Sequence, residues 1–537
     1  MRRWPLAVLL AATACAHPSL PPGPSPQGIA QLERTFQTLR YWDDQRRLMD
    51  SRGGDSTFHP ATVAVAESLT TSRRRTALAF ESVAGQPLDA DDSAALHAMR
   101  EAWRGGLSGD STAGDSTADH GPAKVLADSL IDRYGRAAEL IVVDGDTLNR
   151  LAILGKLGTT GDRERRERLF RALEPVWQSV NGDDAPDSPF RRLVSLRLAA
   201  WADRSSPVDA KGPAFGLQSA ELETWLVLAL KRWRATMPDT LLEPWDWYYL
   251  TGLMSRRLSR RAPTVADIRR VNDGYYRAMG ADPTRLRIHY DLDPRPGKYP
   301  VAFTDFGVRN RIIDGRRVAG DPWVFASYQS GGIDNLAELL HESGHAIDIA
   351  AIWTRPAYLD WPDNDTFTEA IADLPAMELY EPGWQQRFLG DSVPLATALR
   401  AKYAGIVFDM AWALFEIRLY HAPGQDPNLV WTSITRDYLG IRPHPEWSWW
   451  AMRGQLLDGP GYLVNYALGA YLVADLRAAI TRARGAQAWV DPGMYAWLSA
   501  HLYRFGAARP SRTVLESLLG RPLRPDALLK DLARVAP

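Results

Sequence analysis

The sequence predicts a mainly α-helical protein with one small region of β-structure. Long amphipathic segments such as SAELETWLVLALKRWRA recur between short breaks rich in Pro and Gly along most of the chain. Residues 298–332 are the exception, because Val, Phe and Tyr alternate from Trp323 to Tyr328 with turn residues on both sides. We therefore expect one or two short strands there, directly before the next helix.

The composition is that of a globular protein without a strong electrostatic preference. The 537 residues include 63 Lys and Arg and 64 Asp and Glu, which gives a formal net charge of -1. This balance provides no overall field for nucleic acid or an anionic membrane, so nucleic acid is not expected as a partner. The 20 Trp and 19 Tyr suit either large packed clusters or an aromatic-lined cavity.

The first residues resemble a bacterial lipoprotein signal. In MRRWPLAVLLAATACAHPSL, two arginines precede a short apolar run at 6–12, and small residues lead to Cys15, the only cysteine of the chain. The resemblance implies a signal peptide at 1–15 and a lipid on Cys15. The alternative is a plain secretory signal cleaved near Ala14 or Ala16. Both predict an exported, periplasmic protein, and the first adds a lipid anchor to a bacterial membrane.

Composition also divides the rest of the chain. The predicted segments are a Pro/Ser/Gly-rich linker at 16–28, an N-terminal helical region at 29–104, a low-complexity insertion at 105–121 and a helical body at 122–537. The insertion repeats Gly-Asp-Ser-Thr-Ala and has almost nothing to bury, so it is expected to be a disordered surface segment.

The pentapeptide HESGH at 341–345 follows an apolar run and is expected to lie on a helix. Asp334 or Asn335 can cap this helix at its start. The helix is expected to continue to about Trp353 and to end before Pro356.

The motif has the spacing of a zinc site. Residues i and i+4 share one face of a helix, so His341 and His345 can bind one ion while Glu342 lies beside it. Zinc lowers the pKa of a bound water and polarises a carbonyl, and Glu342 would take the proton of the water and pass it to a leaving amine. The alternative is a solvated helix face with two unremarkable histidines.

A second segment, DTFTEAIADLPAMELY, supplies a candidate third ligand. Glu369 follows far enough after His345 for a second helix to return across the site. Asp373 lies one turn later and can accept the other N–H of a metal-bound histidine. The alternative is that Thr366 and Glu369 form a capping box at the start of the second helix. Two His, one Glu and a water complete a catalytic zinc site.

Together these motifs resemble the gluzincin metallopeptidases. FTEAIAD, at 367–373, is similar to the angiotensin-converting-enzyme-like dipeptidyl carboxypeptidases. PWVFASYQSGGIDNLAELLHESGHA, at 322–346, and GPGYLVNYALGAY, at 459–471, are similar to the thimet oligopeptidase and oligoendopeptidase F family. The similarity covers about residues 298–480. It implies a two-lobed helical zincin ellipsoid with a small β-sheet beside the zinc helix. A deep central channel between the lobes would admit short peptides.

The resemblance also implies catalytic residues in the C-terminal segment. In those families a tyrosine and a histidine donate hydrogen bonds to the tetrahedral intermediate, and Tyr462 and Tyr466 match the tyrosine positions. The alternative is a pair of aromatics packed on a buried helix face. The histidine has no match here, so either Gln455 donates in its place or His444 folds into the site.

Arg453 and Gln455 are the predicted substrate-binding residues. The guanidinium of Arg453 can bind the C-terminal carboxylate of a peptide through two hydrogen bonds. The alternative for Arg453 is a surface salt bridge.

The predicted function is therefore a zinc-dependent metallopeptidase that hydrolyses short extended peptides, of the oligopeptidase or dipeptidyl carboxypeptidase type. One zinc ion is the expected cofactor, an oligopeptide the expected substrate, and a monomer the expected state. The alternative is a non-catalytic exported lipoprotein that uses the zincin scaffold to bind a peptide or a partner, and the intact Glu342 argues against it.

Overall fold

The computed structural model describes most of the chain. The described residues are 27–52, 59–104, 119, 121–201, 206–295, 298, 301–358 and 361–535. The predicted signal peptide, Cys15, nearly all of the linker and nearly all of the insertion lie outside the described residues. The first helix begins at Gln27, so the chain is already helical where the last two residues of the linker were predicted.

Three helices form an N-terminal bundle with a core of its own. They are α1 (Gln27–Ser51), α2 (His59–Val83) and α3 (Ala90–Arg104). The buried residues that join them include Ile29, Leu32, Phe36, Leu39, Leu69, Val83, Leu96 and Met99. The guanidinium of Arg355, from the rest of the protein, binds the carboxylates of Glu33 and Asp92. Partly buried ion pairs therefore attach the bundle to the body.

The body consists mainly of helices. Its first part contains α4 (Gly121–Glu139), the hairpin β1 (Ile141–Val143) and β2 (Asp146–Leu148), α5 (Arg150–Thr159), α6 (Arg163–Arg171), α7 (Glu174–Asn181), α8 (Pro189–Ala200), α9 (Ser219–Arg234), α10 (Pro244–Thr251), α11 (Leu253–Leu258) and α12 (Val265–Ala278). Five strands follow: β3 (His289–Asp291), β4 (Phe303–Val308), β5 (Arg311–Ile313), β6 (Arg316–Val318) and β7 (Asp321–Phe325).

The last part of the body is helical again. It contains α13 (Ile333–Ala351), α14 (Asp365–Ala376), α15 (Pro382–Leu389), α16 (Leu395–His421), α17 (Pro427–Ile434), α18 (Tyr462–Arg484), α19 (Met494–His501), α20 (Ser511–Leu519) and α21 (Asp526–Leu532). The prediction of a mainly α fold is confirmed.

The region predicted to contain one or two strands forms a small sheet and a hairpin. In the sheet, β7 lies between β3, which runs parallel to it, and β4, which runs antiparallel to it. The two strands β5 and β6 pair with each other as the hairpin that joins β4 to β7. Both β4 and β7 pack on α13. The predicted small sheet beside the HESGH helix is therefore present, with β4 as one of its edge strands.

Helices α13 and α14 cross in unusually close contact. A Cβ placed on Gly344 would lie 2.2 Å from the carbonyl oxygen of Ala372, so only glycine fits at this point of α13. The same two helices carry the candidate metal ligands. The glycine of HESGH therefore sets the distance between the two helices on which the site is built.

The start of α13 differs from the prediction. The residue before the helix is Gly332, whose φ of 107° is readily adopted by glycine, and the first backbone N–H of the helix, that of Ile333, donates to the hydroxyl of Ser259. Asp334 instead accepts a hydrogen bond from the hydroxyl of Ser255, and Asn335 donates to the carbonyl of Ser330. The prediction that Asp334 or Asn335 caps the helix is wrong, because both lie inside its first turn.

Helix α18 is long and apolar enough to cross a membrane, with a mean hydropathy of 1.3 in its most apolar window. However, 72% of that window is buried inside the protein, where α18 packs against α14 and α16. Its apolar character is accounted for by this position in the core.

Candidate metal centre and active site

The two histidines of HESGH face the same point. His341 and His345 lie one turn apart on α13, and their Nε2 atoms are 3.2 Å apart with the ring planes nearly perpendicular. His345 is almost fully buried, at 5% exposure. The alternative of a solvated helix face therefore does not describe these residues.

Glu369 completes a set of three ligand atoms. Its Oε2 lies 3.2 Å from Nε2 of His341 and 3.7 Å from Nε2 of His345. Ligand atoms of a tetrahedral zinc site with ordinary bond lengths are about 3.3 Å apart. Two imidazoles and a carboxylate are also the usual protein ligands of a catalytic zinc ion. The donor set and its spacing therefore fit zinc.

The capping-box alternative for Glu369 does not describe the start of α14. The N-cap residue is Asn364, and its side chain accepts a hydrogen bond from the backbone N–H of Phe367. Thr366 lies inside the helix, where its hydroxyl contacts the side-chain oxygen of Asn465. The carboxylate of Glu369 is consequently free of any capping role and faces the histidines.

Asp373 holds the first histidine in position. Nδ1 of His341 lies 2.8 Å from a carboxylate oxygen of Asp373, which can only accept, so Nδ1 carries the hydrogen and donates it. In the neutral ring, which is the form that binds a metal, Nε2 is thereby left with its lone pair on the side of Glu369 and His345. A metal-bound histidine is commonly oriented by a carboxylate in this way.

The electrostatics of the centre favour bound positive charge. Burial lowers the pKa of His341, but the charge and hydrogen bond of Asp373 outweigh this effect and hold the pKa well above its usual value. Burial raises the pKa of Glu369, but hydrogen bonds from both histidines outweigh it, and its pKa lies below the usual range. Two carboxylates around two imidazoles thus form a site that attracts either protons or a divalent cation.

Glu342 lies beside the histidines and is 6% exposed. One of its carboxylate oxygens, Oε2, accepts a hydrogen bond from the hydroxyl of Thr304 on β4. The structure thus holds the predicted base at the junction of the metal helix and the sheet.

The structure brings Tyr462 and Tyr466 to the Glu369 side of the centre. Their ring centroids are 5.8 Å apart in the first turns of α18. Burial raises the pKa of both phenols, and the negative charge of Glu369 is the next largest cause for each. Both hydroxyls therefore keep their protons near neutral pH and can act as hydrogen-bond donors.

Arg453 is paired within the protein. Its guanidinium binds the carboxylate of Asp409 at 2.8 Å and lies against the ring of Tyr466. Each side chain of the pair is 22% exposed, so this is a partly buried ion pair and not the surface salt bridge that sequence analysis left open. Gln455 lies two residues further on, in a short 3₁₀ helix at Gly454–Leu457.

The C-terminal histidines do not reach the centre. His444 stacks on Trp447 and contacts the carboxylates of Glu243 and Glu446. The alternative in which His444 folds into the site is therefore wrong, because two carboxylates hold its ring elsewhere. His501 stacks on Trp497. Gln455 remains the candidate of the two that sequence analysis named.

Open space adjoins the centre. A cavity of about 340 Å³ lies along the N-terminal half of α13 and is lined by residues that include Asp334 and Glu338. A smaller cavity, of about 70 Å³, is lined by residues that include Asp373, Asp409 and Tyr466. The smaller cavity borders Asp373, which orients His341, and Tyr466.

Two residues that hydrogen-bond to the site were not predicted from the sequence, Thr304 and Glu416. Glu416, in the middle of α16, is 2% exposed and accepts hydrogen bonds from the backbone N–H groups of Gly461 and Leu463, which flank Tyr462. Burial raises the pKa of Glu416 to about 7. Both residues act across long sequence separations, so no local pattern could have identified them.

The comparisons identify the fold. No family model matches the chain, and no curated protein matches it. Solved structures do match. A carboxypeptidase from Pyrococcus furiosus is 15% identical over 94% of this chain and 98% of its own, with a TM-score of 0.57.

Two further solved structures have a TM-score of 0.52. A putative oligoendopeptidase F is 18% identical over 94% of this chain and 95% of its own. PZ peptidase A, solved with an inhibitor, is 15% identical over the same shares of the two chains. At these identities the similarity establishes a common fold along nearly the whole chain.

Proposed function

We propose that this protein is a zinc-dependent peptidase that hydrolyses short, extended peptides. The observation that carries the proposal is the convergence of His341, His345 and Glu369 at distances that fit one tetrahedral ion. The buried carboxylate of Glu342 beside them supports a catalytic role, since a site that only stores metal needs no base. The peptidases that share the fold make the same activity the first to test.

Each residue has a defined part in the proposed reaction. Zinc, when held by His341, His345 and Glu369, supplies a Lewis acid that makes water a nucleophile near neutral pH and polarises the scissile carbonyl. Glu342 accepts the proton of the attacking water and then delivers it to the leaving amine. Tyr462 or Tyr466 donates a hydrogen bond to the carbonyl oxygen as negative charge develops there.

Peptides are the proposed substrates because of the sheet next to the base. The edge strand β4 runs beside α13. An extended peptide can add by main-chain hydrogen bonds along the start of this edge, since side chains of α1 bind the backbone at Gly307 and Arg309 near its end. A folded protein lacks the extended segment that this arrangement needs.

The Arg453–Asp409 pair bears on whether the enzyme removes C-terminal dipeptides or cleaves internally. A carboxydipeptidase needs a cation for the free C-terminus, and Arg453 is the candidate, although it would have to share its guanidinium with Asp409. Mass spectrometry of products from one peptide with a free and with an amidated C-terminus separates the two. Cleavage of both forms at internal bonds identifies an oligopeptidase, and loss of cleavage on amidation identifies a carboxydipeptidase.

The test of the proposed function is the variant Glu342→Gln. The amide keeps the shape of the side chain but cannot accept the proton, so kcat should fall by about 10²–10⁴-fold while zinc stays bound. A mixture of quenched fluorescent peptides, with and without a chelator and with zinc added back, provides the assay. Equal turnover in Glu342→Gln and the parent protein would remove Glu342 from the mechanism, and a parent protein without turnover would favour the non-catalytic binding role.

Export and lipid anchoring are part of the proposal and rest on the sequence of residues 1–15 alone. The variant Cys15→Ala, expressed with its full signal, should move from the membrane to the soluble fraction. Equal membrane partition of the variant and the parent would exclude the lipid on Cys15.

A further inference from the structure

Thr304 makes the closest contact to the side chain of the proposed base. Its Oγ1 lies 2.7 Å from Oε2 of Glu342 and 2.8 Å from the backbone carbonyl oxygen of the same residue. Both oxygens accept when the carboxyl group is ionised, so the single hydrogen of the hydroxyl is shared between them. One side chain on β4 thus contacts both the backbone and the carboxylate of Glu342.

We infer that Thr304 is a positioning residue, which fixes the carboxylate of Glu342 so that Oε1 is the oxygen that receives the proton of the attacking water. The inference rests on the proposed function. A glutamate side chain has three rotatable bonds, and without a fixed partner its carboxylate would sample several rotamers. The hydroxyl of Thr304 occupies Oε2 and leaves one oxygen for the water.

The choice of threonine suits this part. Threonine is β-branched, so its χ1 angle is restricted and its hydroxyl has a defined direction on a strand. Thr304 pairs with Val324 across β4 and β7, and this register places it on a strand that packs against α13. The position of the hydroxyl is therefore determined by the sheet and not by the loop that precedes it.

Two ion pairs connect β4 to the N-terminal bundle. The guanidinium of Arg47 lies 3.2 Å from the carboxylate of Asp305, the residue after Thr304. Arg309, just beyond the end of β4, binds Asp44 at 2.8 Å. Arg47 and Asp44 both lie on α1, so the N-terminal bundle holds the strand that holds the base. The strand that carries Thr304 is thus held by α1 as well as by its packing on α13.

The variant Thr304→Val tests the inference, because valine keeps the shape and strand preference of threonine and lacks the hydroxyl. We expect kcat to fall by about 10- to 100-fold, because a displacement of up to about 1 Å in a reacting group has an effect of this size. KM should stay within about 2-fold of the parent value. Thr304→Ser retains the hydroxyl and should recover most of the lost kcat. Thr435→Val is the control, since it removes a buried hydroxyl that bonds only to backbone carbonyls of the preceding helix α17, away from the centre.

Three further measurements separate positioning from damage to the fold. Zinc content and zinc affinity of Thr304→Val should equal those of the parent, and its crystal structure with zinc should show Glu342 in more than one side-chain conformation. In the Glu342→Gln background, Thr304→Val should cause little further loss, because the group that it positions is already inactive.

The outcomes also separate this inference from the proposed function. If the parent cleaves peptides and Thr304→Val cleaves them equally well, Thr304 has no positioning role while the proposed function stands. If the parent cleaves nothing, the proposed function fails, and a single unchanged conformation of Glu342 in the Thr304→Val structure would then overturn the positioning role as well.

Discussion

The carboxylate of Asp373 accepts the Nδ1 hydrogen of His341 at 2.8 Å, one turn after Glu369 on the same helix. A single face of α14 therefore supplies both a candidate metal ligand and the group that orients a second ligand on α13. This relationship makes the centre depend on how α13 and α14 are packed, and it leads to predictions that do not require the natural substrate.

Removal of the orienting carboxylate should weaken zinc binding. In Asp373→Asn the amide can still contact His341 but no longer requires Nδ1 to carry the hydrogen, so we expect zinc affinity to fall by about 10- to 100-fold. Competition with a chromophoric chelator measures the affinity. Asp437→Asn, at a surface ion pair with 49% exposure, is the control and should bind zinc as the parent does. Unchanged affinity in Asp373→Asn would show that His341 is oriented by other contacts.

The contact of α13 and α14 at Gly344 should be intolerant of even one methyl group. Gly344→Ala would place a Cβ 2.2 Å from the carbonyl oxygen of Ala372, so the helices must separate. We expect a loss of about 1–3 kcal/mol of stability, together with weaker zinc binding, because Glu369 moves with α14.

Gly274 on α12 provides the matched control for Gly344. A Cβ on Gly274 would meet nothing within 4 Å, so Gly274→Ala should leave zinc binding unchanged and stabilise the protein by about 0.4–1 kcal/mol. Thermal unfolding measures the stability of both variants, and zinc titration measures their zinc affinity. Equal stability and equal zinc affinity of the two alanine variants would show that the contact at Gly344 does not set the spacing of α13 and α14.

The phenol groups should matter for turnover more than for binding. Tyr462→Phe or Tyr466→Phe removes a donor that acts as charge develops on the carbonyl oxygen, so the variant of the acting residue should lose about 10²–10³-fold in kcat with little change in KM. Steady-state kinetics on one peptide identify which of the two donates. If neither variant loses more than about 2-fold, both rings are packing residues, as the alternative reading of the sequence holds.

Glu416 predicts a pH dependence of stability. Burial raises its pKa from 4.5 to about 7, although the hydrogen bonds from the backbone of Leu463 and Gly461 lower it. The other charged or titratable groups that face it are Arg197, Lys211 and Tyr420. Because the folded pKa is raised, folding takes up a proton in this range. The contribution of this group to stability is complete below about pH 4.5, and on the order of 3 kcal/mol is lost as pH rises through 7.

The variant Glu416→Gln cannot ionise and removes this dependence. The difference in Tm between Glu416→Gln and the parent should therefore shift in favour of the variant from pH 5 to pH 8. Glu516→Gln, at an exposed helix position, is the control and should show no such trend. Parallel Tm curves for Glu416→Gln and the parent would show that Glu416 stays in one protonation state over this range.

Much of the fold and of the metal centre follows from local sequence patterns. The spacing of His341 and His345 determines that they share a helix face, and the strand pattern before them marks the sheet correctly. Glu369 and Asp373 are likewise one turn apart, so finding one suggests the other. Such features depend on helix and strand geometry, which a sequence carries directly.

The remaining features depend on tertiary contacts. Thr304 reaches Glu342, and Glu416 reaches the start of α18, only because distant elements pack together. The capping of α13 was predicted wrongly because Asp334, a good capping residue, lies within the helix and bonds to Ser255 of another helix. His444 was left open for the same reason, since its partner Glu243 is distant in sequence.

The most direct test of the metal centre is an anomalous-difference map from crystals of the zinc-loaded protein, recorded on both sides of the zinc absorption edge. The proposed zinc centre predicts one strong peak, about 2.0–2.2 Å from Nε2 of His341, Nε2 of His345 and a carboxylate oxygen of Glu369. A map without a peak among these three side chains, or with its strongest peak elsewhere in the protein, would contradict it.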